Sequence, residues 1–140
     1  MLICASIHQV VLVVGADIHV SHEGTDRGNL DLTPPQNVLL NATLTAVGNS
    51  GKKIIILVCG VGVVDLSAYA NDPRVSAIAF IGFLGQAGGL TIGDVLFGLV
   101  NPSGKLPMTW YDSSFIKAAP FEDYHMRPNS SSGFPGRTHR

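Results

Sequence analysis

Three short apolar runs constrain this chain more than any other feature. They fall at residues 10–14, 54–58 and 77–81, are rich in Val and Ile, and are bounded by Gly. None alternates apolar with polar residues. Continuous runs of this length are the pattern of strands covered on both faces, which is typical of parallel sheets. Parallel strands need crossover connections, and the intervening segments supply helical patterns. Thr33-Pro34-Pro35-Gln36 reads as an N-cap, a Pro at the first helical position and a capping-box Gln at N3. Leu40, Leu44 and Val47 then form an i, i+4, i+7 stripe, with Gly48 as the expected C-terminal stop. A helical turn is expected over 66–70 and a second helix over about 89–97, with Ile92, Val95 and Leu96 inward. The order strand, helix, strand, turn, strand, helix predicts an α/β fold built on a parallel sheet.

Composition agrees with that class and removes several others. Hydrophobic residues make up 46% of the 140 and charged residues 14%, so a disordered chain is excluded for most of the length. Nine basic against ten acidic residues give a net charge of -1, with no run of like charge. A surface for nucleic acid is therefore not expected. No apolar run reaches the ~18 residues of a membrane span. The apolar start lacks a basic leader and is interrupted by His8-Gln9, so residues 1–16 read as structure and not as a convincing signal peptide. Cys4 and Cys59 are too few for a disulfide framework, and Cys59 is expected as a buried thiol. The α/β core is expected over about 10–111. It is followed by an extended segment at 105–111 and an irregular loop or tail at 112–140. Three strands are few for a doubly wound domain, and both ends look cut, so the chain reads as a fragment.

Ligands of open parallel sheets gather at the carboxyl ends of the strands. There the first connection carries Asp17, His19, His22, Glu23, Asp26 and Arg27. A carboxyl group held in this loop could serve as a general acid or base. His19, His22 and Glu23 lack a zinc-ligand signature, so no metal is expected. Gly60-Val61-Gly62 is an incomplete dinucleotide fingerprint, because Asp65 stands where a third Gly is required. Residues 82–89 form a Gly-rich passage that either approaches a ligand or packs a helix closely on the sheet. No cofactor follows from either. Asn41-Ala42-Thr43 and Asn129-Ser130-Ser131 match the N-glycosylation sequon.

Longer strings carry a resemblance. They are Glu23-Gly24-Thr25-Asp26-Arg27 with Asn29-Leu30, Gly82-Phe83-Leu84-Gly85-Gln86-Ala87-Gly88-Gly89, and Asp94-Val95-Leu96-Phe97-Gly98. Asn101-Pro102-Ser103-Gly104-Lys105-Leu106-Pro107-Met108-Thr109-Trp110-Tyr111, Met126-Arg127-Pro128-Asn129 and Gly133-Phe134-Pro135-Gly136-Arg137 follow in order. From about residue 10 to residue 140 the chain resembles the C-terminal α/β sandwich domain of glycoside hydrolase family three, in its plant β-xylosidase and α-L-arabinofuranosidase branch. It departs from the family pattern at Thr25, Pro35, Leu99 and His139, none of them a carried-over catalytic group.

The resemblance implies part of a flavodoxin-like three-layer sandwich. It also implies a retaining glycosidase acting on xylo- or arabino-oligosaccharides in xylan and cell-wall breakdown, outside the cell. By position in the motif, Glu23 is the acid/base, and Asp26 and Arg27 are substrate-binding or loop-supporting residues, with Asp26 expected to be tied to Arg27. The nucleophile is implied to be an Asp on an N-terminal barrel domain, the missing partner of this one, so the 140 residues alone are expected to be inactive. The other readings left open are a non-catalytic carbohydrate-binding or interaction module and a flavodoxin-like nucleotide-binding domain.

Overall fold

In a computed structural model of the chain, residues 9–120 and 122–138 are described. Cys4 and His139 lie outside them. Three parallel strands, β1 (Val10–Ala16), β2 (Ile54–Gly60) and β3 (Val75–Phe80), form one sheet in the order β1-β2-β3. Helix α1 (Pro34–Asn49) connects β1 to β2, the single turn α2 (Ser67–Ala70) connects β2 to β3, and α3 (Gly88–Leu96) follows β3. The α/β class is thus the one expected from the apolar runs. Each strand differs from its expected span by about two residues at one end or both.

One face of the sheet holds the core. Leu40, Leu44 and Val47 of α1 are the predicted stripe, and they pack against Val14, Ile54, Ile56 and Val58 with Leu32, Val64 and Leu66. Leu40, Ile54 and Ile56 have no exposed surface. Burying side chains of this size stabilises by about 1.5–3 kcal/mol each, so this layer dominates the fold's stability. The opposite face is different. Val11 and Val13 of β1 remain exposed, and Cys59 is half-buried instead of buried. Cys59 alternates with the core-facing Val58, which places it on the face that no described helix covers as fully.

The ends of α1 differ from the sequence expectation in an informative way. Thr33 makes no side-chain cap, although its carbonyl accepts from Asn37 N–H at 3.0 Å. Gln36 does not turn back on the helix terminus. Its side chain reaches β1, where Gly15 N–H donates to Oε1 and Nε2 donates to the Gly15 carbonyl, both at 2.9 Å. Gly48 is inside the helix, where a Cβ would lie 3.1 Å from Cδ of Arg74. The packing there is tight, and the reversal falls on Gly51 at φ +66°. Lys52 N–H donates to Val47 and Gly51 N–H to Gly48, the paired bonds of a Schellman end.

Past the sheet, the segment at 105–111 forms no strand, though Trp110 packs on the core and tilts against Phe80 at 5.2 Å between centroids. The stretch expected to be irregular contains helix α4 (Ser113–Ala118), capped by the Asp112 carboxylate, which accepts from Ser114 N–H at 2.8 Å.

The two strand ends nearest the candidate loop require glycine. Gly15 (φ +150°) and Gly60 (φ +143°) lie on adjacent strands, and a Cβ on either would run into the carbonyl of Cys59 or Ala16, respectively. Gly28, by contrast, has open space within 4 Å of where a Cβ would stand. Gly15→Ala should therefore cost more than about 2 kcal/mol. Gly28→Ala should stay within about 0.5 kcal/mol. Urea midpoints of the two variants check this.

Candidate functional site

Because all three strands run in parallel, the connections after them emerge at one edge of the sheet. The first, residues 17–33, carries the carboxylates singled out in the sequence. Asp17 builds the start of the loop: its carboxylate accepts from His19 N–H at 2.9 Å, and its carbonyl accepts from Val20 and Ser21. His22 and Thr25 then pair through two backbone hydrogen bonds of 3.1 and 2.9 Å. Glu23 and Gly24 are the two residues at the tip, with Gly24 at φ +78°. A positive φ at the second tip residue and none at Glu23 is the requirement of a type II turn, and Gly meets it without strain. Glu23 is exposed there, and so is Asp26.

Arg27 does not pair with Asp26. The ion pairs among the described residues are Arg74–Asp72 and His125–Asp123. The Arg27 guanidinium instead crosses to the second connection, where Nη2 donates to the Val63 carbonyl at 2.9 Å. Its Nη1 is buried without a partner among the described residues. A buried carbonyl at the right distance outcompetes an adjacent exposed carboxylate, whose pairing in water is worth little. Asp65 N–H donates to the Leu30 carbonyl at 2.8 Å and ties the same two connections further along. The loop is thus fixed at three places: by Gln36 at Gly15, by Arg27 at Val63 and by Leu30 at Asp65.

Sequence reasoning gives Asp65 no role in a site, yet the structure makes it a junction. Its carboxylate accepts from the Ser67 N–H at 3.0 Å and hydroxyl at 2.6 Å, and from Ser113 N–H at 2.8 Å. Partial burial opposes its charge, but the hydrogen bonds from Ser67 and Ser113 outweigh that and hold its pKa down to about 2. Next to it, Trp110 Nε1 donates to the Val64 carbonyl at 2.9 Å. These contacts dock residues 110–118 onto the second connection. An open groove of about 660 Å³ lies there, lined by Val58, Ile78, Phe80, Leu106, Trp110 and Phe115. Asp65 and Asp112 also line it, and local N–H groups already occupy both carboxylates. The groove offers apolar surface, and Glu23 is not part of it.

The glycines of the remaining motifs shape turns and one close approach. Gly60 and Gly62 (φ +123°) shape the turn after β2. In the passage 82–89, Gly88 is required because a Cβ would strike the Leu84 side chain, whereas Gly85 and Gly89 face open space. No group of three or more His, Cys, Asp or Glu side chains that could hold a metal ion comes together among the described residues. None of the described helices is long and apolar enough to cross a membrane.

An open parallel sheet whose first connection presents an exposed carboxylate on a pinned turn defines the class: an α/β domain with a polar loop at the carboxyl end of its first strand. The sequence profile described as the Glycosyl hydrolase family 3 C-terminal domain matches residues 3–135, and the chain belongs to that family. It is 43% identical over 138 residues to Beta-D-xylosidase 3 of Arabidopsis thaliana, covering 99% of this chain and 18% of that protein. It is 38% identical over 138 residues to Beta-xylosidase/alpha-L-arabinofuranosidase 1 of Medicago sativa subsp. varia, covering 99% and 17%. Among solved structures, it resembles a GH3 exo-beta-xylosidase in complex with a xylobiose aziridine probe. The TM-score is 0.79 at 30% identity, over 93% of this chain and 16% of that one. The chain therefore spans less than a fifth of the length of these relatives.

Asp65 gives a testable pH dependence. Its folded-state pKa lies below the ordinary 3.8, so it contributes stability above pH 3.8 and loses that contribution as the pH falls toward about 2. Asp65→Asn should destabilise the chain at pH 7 by about 1–2 kcal/mol, allowing for solvent screening. The difference from the parent should shrink between pH 4 and pH 2, as read by denaturant titrations at each pH.

Proposed function

We propose that this chain is the acid/base-bearing domain of a retaining glycosidase acting on xylose- or arabinose-containing cell-wall polysaccharides, and that Glu23 is the acid/base. The observation that carries this reading is the setting of Glu23. It stands at the tip of the His22–Thr25 turn, exposed, on a loop leaving the carboxyl end of β1. Asp17 and Asp26 are weaker candidates. The Asp17 carboxylate is engaged by the turn it forms. Asp26 follows the turn instead of occupying its tip. Arg27 is a positioning residue, acting through its hold on Val63.

The chemistry requires two carboxyl groups about 5–5.5 Å apart. One attacks the anomeric carbon while the other protonates the departing glycosidic oxygen. The second then removes a proton from the water that releases the sugar. In this reading Glu23 performs both proton transfers. The nucleophile is an Asp of the barrel domain implied by the family resemblance, so hydrolysis needs that domain. An exposed tip suits a group meant to project into a cleft formed by a second surface, and that surface would exclude water from the carboxyl. The relatives named as β-xylosidases and an α-L-arabinofuranosidase support the substrate class. A polymeric wall substrate places the enzyme outside the cell.

The test uses the full-length enzyme. Glu23→Gln should slow hydrolysis of an activated aryl xyloside by roughly 10²–10⁴-fold, mainly by stalling deglycosylation. Azide should restore turnover as glycosyl azide, because an anionic nucleophile needs no general base. Near-normal turnover in Glu23→Gln, with azide-responsive loss in Asp17→Asn or Asp26→Asn, would move the role to that residue.

A further inference from the structure

The chain contains two Asn-x-Ser/Thr sequences, and the fold treats them in opposite ways. Asn41-Ala42-Thr43 lies in the middle of α1. There the Thr43 hydroxyl donates to the Leu39 carbonyl at 2.8 Å, and the Asn41 carbonyl accepts from the Thr45 hydroxyl at 2.9 Å. N-linked glycans are carried on surface loops of secreted proteins. Helix α1 withdraws the Thr43 hydroxyl into its own backbone.

Asn129-Ser130-Ser131 lies on an exposed loop. The loop is closed by paired backbone hydrogen bonds between Asn129 and Phe134, of 2.9 and 3.0 Å, with Gly133 at φ +70° completing the reversal. Phe134 is buried beneath it, and the Arg137 guanidinium sits over the Phe134 ring at 5.9 Å. Arg137 also donates to the carbonyls of Asp123 and Pro120, at 3.0 and 2.6 Å. The loop is therefore anchored from below while its tip faces outward. At that tip Ser131 N–H donates to Asn129 Oδ1 at 3.0 Å. This bond uses the amide oxygen, fixes the orientation of the group, and directs Nδ2 away from the turn. Neither Nδ2 of Asn129 nor the Ser131 hydroxyl forms a hydrogen bond among the described residues, and Ser130 is not a Pro.

From this geometry we propose that Asn129 is an N-glycosylation site and that Asn41 is not. Asn129 Nδ2 forms a bond to the anomeric carbon of an oligosaccharide carried on a lipid pyrophosphate. The bond from that carbon to the pyrophosphate oxygen breaks, and the lipid pyrophosphate leaves with the electron pair. Nδ2 gives up one proton to the transfer enzyme. In the cell the proposal rests on the extracellular reading above, since only a chain entering the secretory path meets that donor.

The experiment removes that dependence by placing a secretory leader ahead of the full 140-residue chain in a plant or yeast host. The product is weighed before and after peptide N-glycosidase digestion, alongside Asn129→Gln, Ser131→Ala and Asn41→Gln. The parent and Asn41→Gln should each lose the mass of one oligosaccharide on digestion. Asn129→Gln and Ser131→Ala should show no such loss. Ser131→Ala keeps the backbone N–H that forms the turn, so its result reports the hydroxyl and not a failure to fold. A parent chain whose mass digestion leaves unchanged, or a shift that survives Asn129→Gln and vanishes in Asn41→Gln, would overturn the proposal. Entry of the native gene product into the secretory path, followed separately, tests the extracellular reading alone.

Discussion

Gly15, one residue before the end of β1, has both of its backbone groups held by one side chain, and the candidate site depends on that contact. At the free edge of β1 there is no fourth strand among the described residues to accept or donate. Gln36 supplies both halves of the missing pairing, with two hydrogen bonds of 2.9 Å. Each is worth about 0.5–1.5 kcal/mol net, and an unpaired buried group would cost more than that. The geometric consequence is larger than the energetic one. Gln36 lies in the first turn of α1, so the contact joins the two ends of the 17–33 connection. A long loop whose ends are tied loses much of the freedom that would otherwise blur the position of its tip.

The pinned ends would be of little use if the loop could swing as a whole. Arg27 and Leu30 prevent this by bonding to the connection after β2, at Val63 and Asp65. Asp65 then passes the constraint on, since Ser113 binds its carboxylate and Trp110 binds the carbonyl beside it. A chain of polar contacts therefore runs from the strand edge through two connections to the segment beyond α3. The apolar layer under α1 supplies stability, and this polar layer supplies position. The sheet's other face is less fully covered: Leu57 is buried there, but Val11 and Val13 are exposed.

Elements with a local code are legible in the sequence alone. The Val/Ile runs mark three strands, Pro34-Pro35 marks the start of α1, and the Leu40, Leu44, Val47 stripe faces the core as its spacing requires. The misses share a cause, which is that a distant partner outcompetes a local one. Gln36 fits a capping box by spacing, yet a strand edge nearby offers it two bonds. Arg27 sits beside Asp26, yet a carbonyl 36 residues away binds it. Gly48 resembles a helix stop, yet Arg74 packs where its side chain would be. Helix α4 is invisible to periodicity because six residues show no period, and its cap at Asp112 is the one available signal. The position of Glu23 at a turn tip is legible only through Gly24. Its proposed role comes from the motif, because an exposed carboxylate carries no local mark of acid/base work.

The central claim is that this pinned turn delivers a general acid. The most direct measurement is the dependence of kcat/KM on leaving-group acidity across a series of aryl xylosides, for the full-length enzyme and for Glu23→Gln. A positioned acid makes the parent nearly insensitive to the leaving group, because the departing oxygen is protonated as it leaves. The account predicts a shallow slope for the parent and a steep one for Glu23→Gln, with the two converging for the best leaving groups. Parallel slopes in the two enzymes would contradict it.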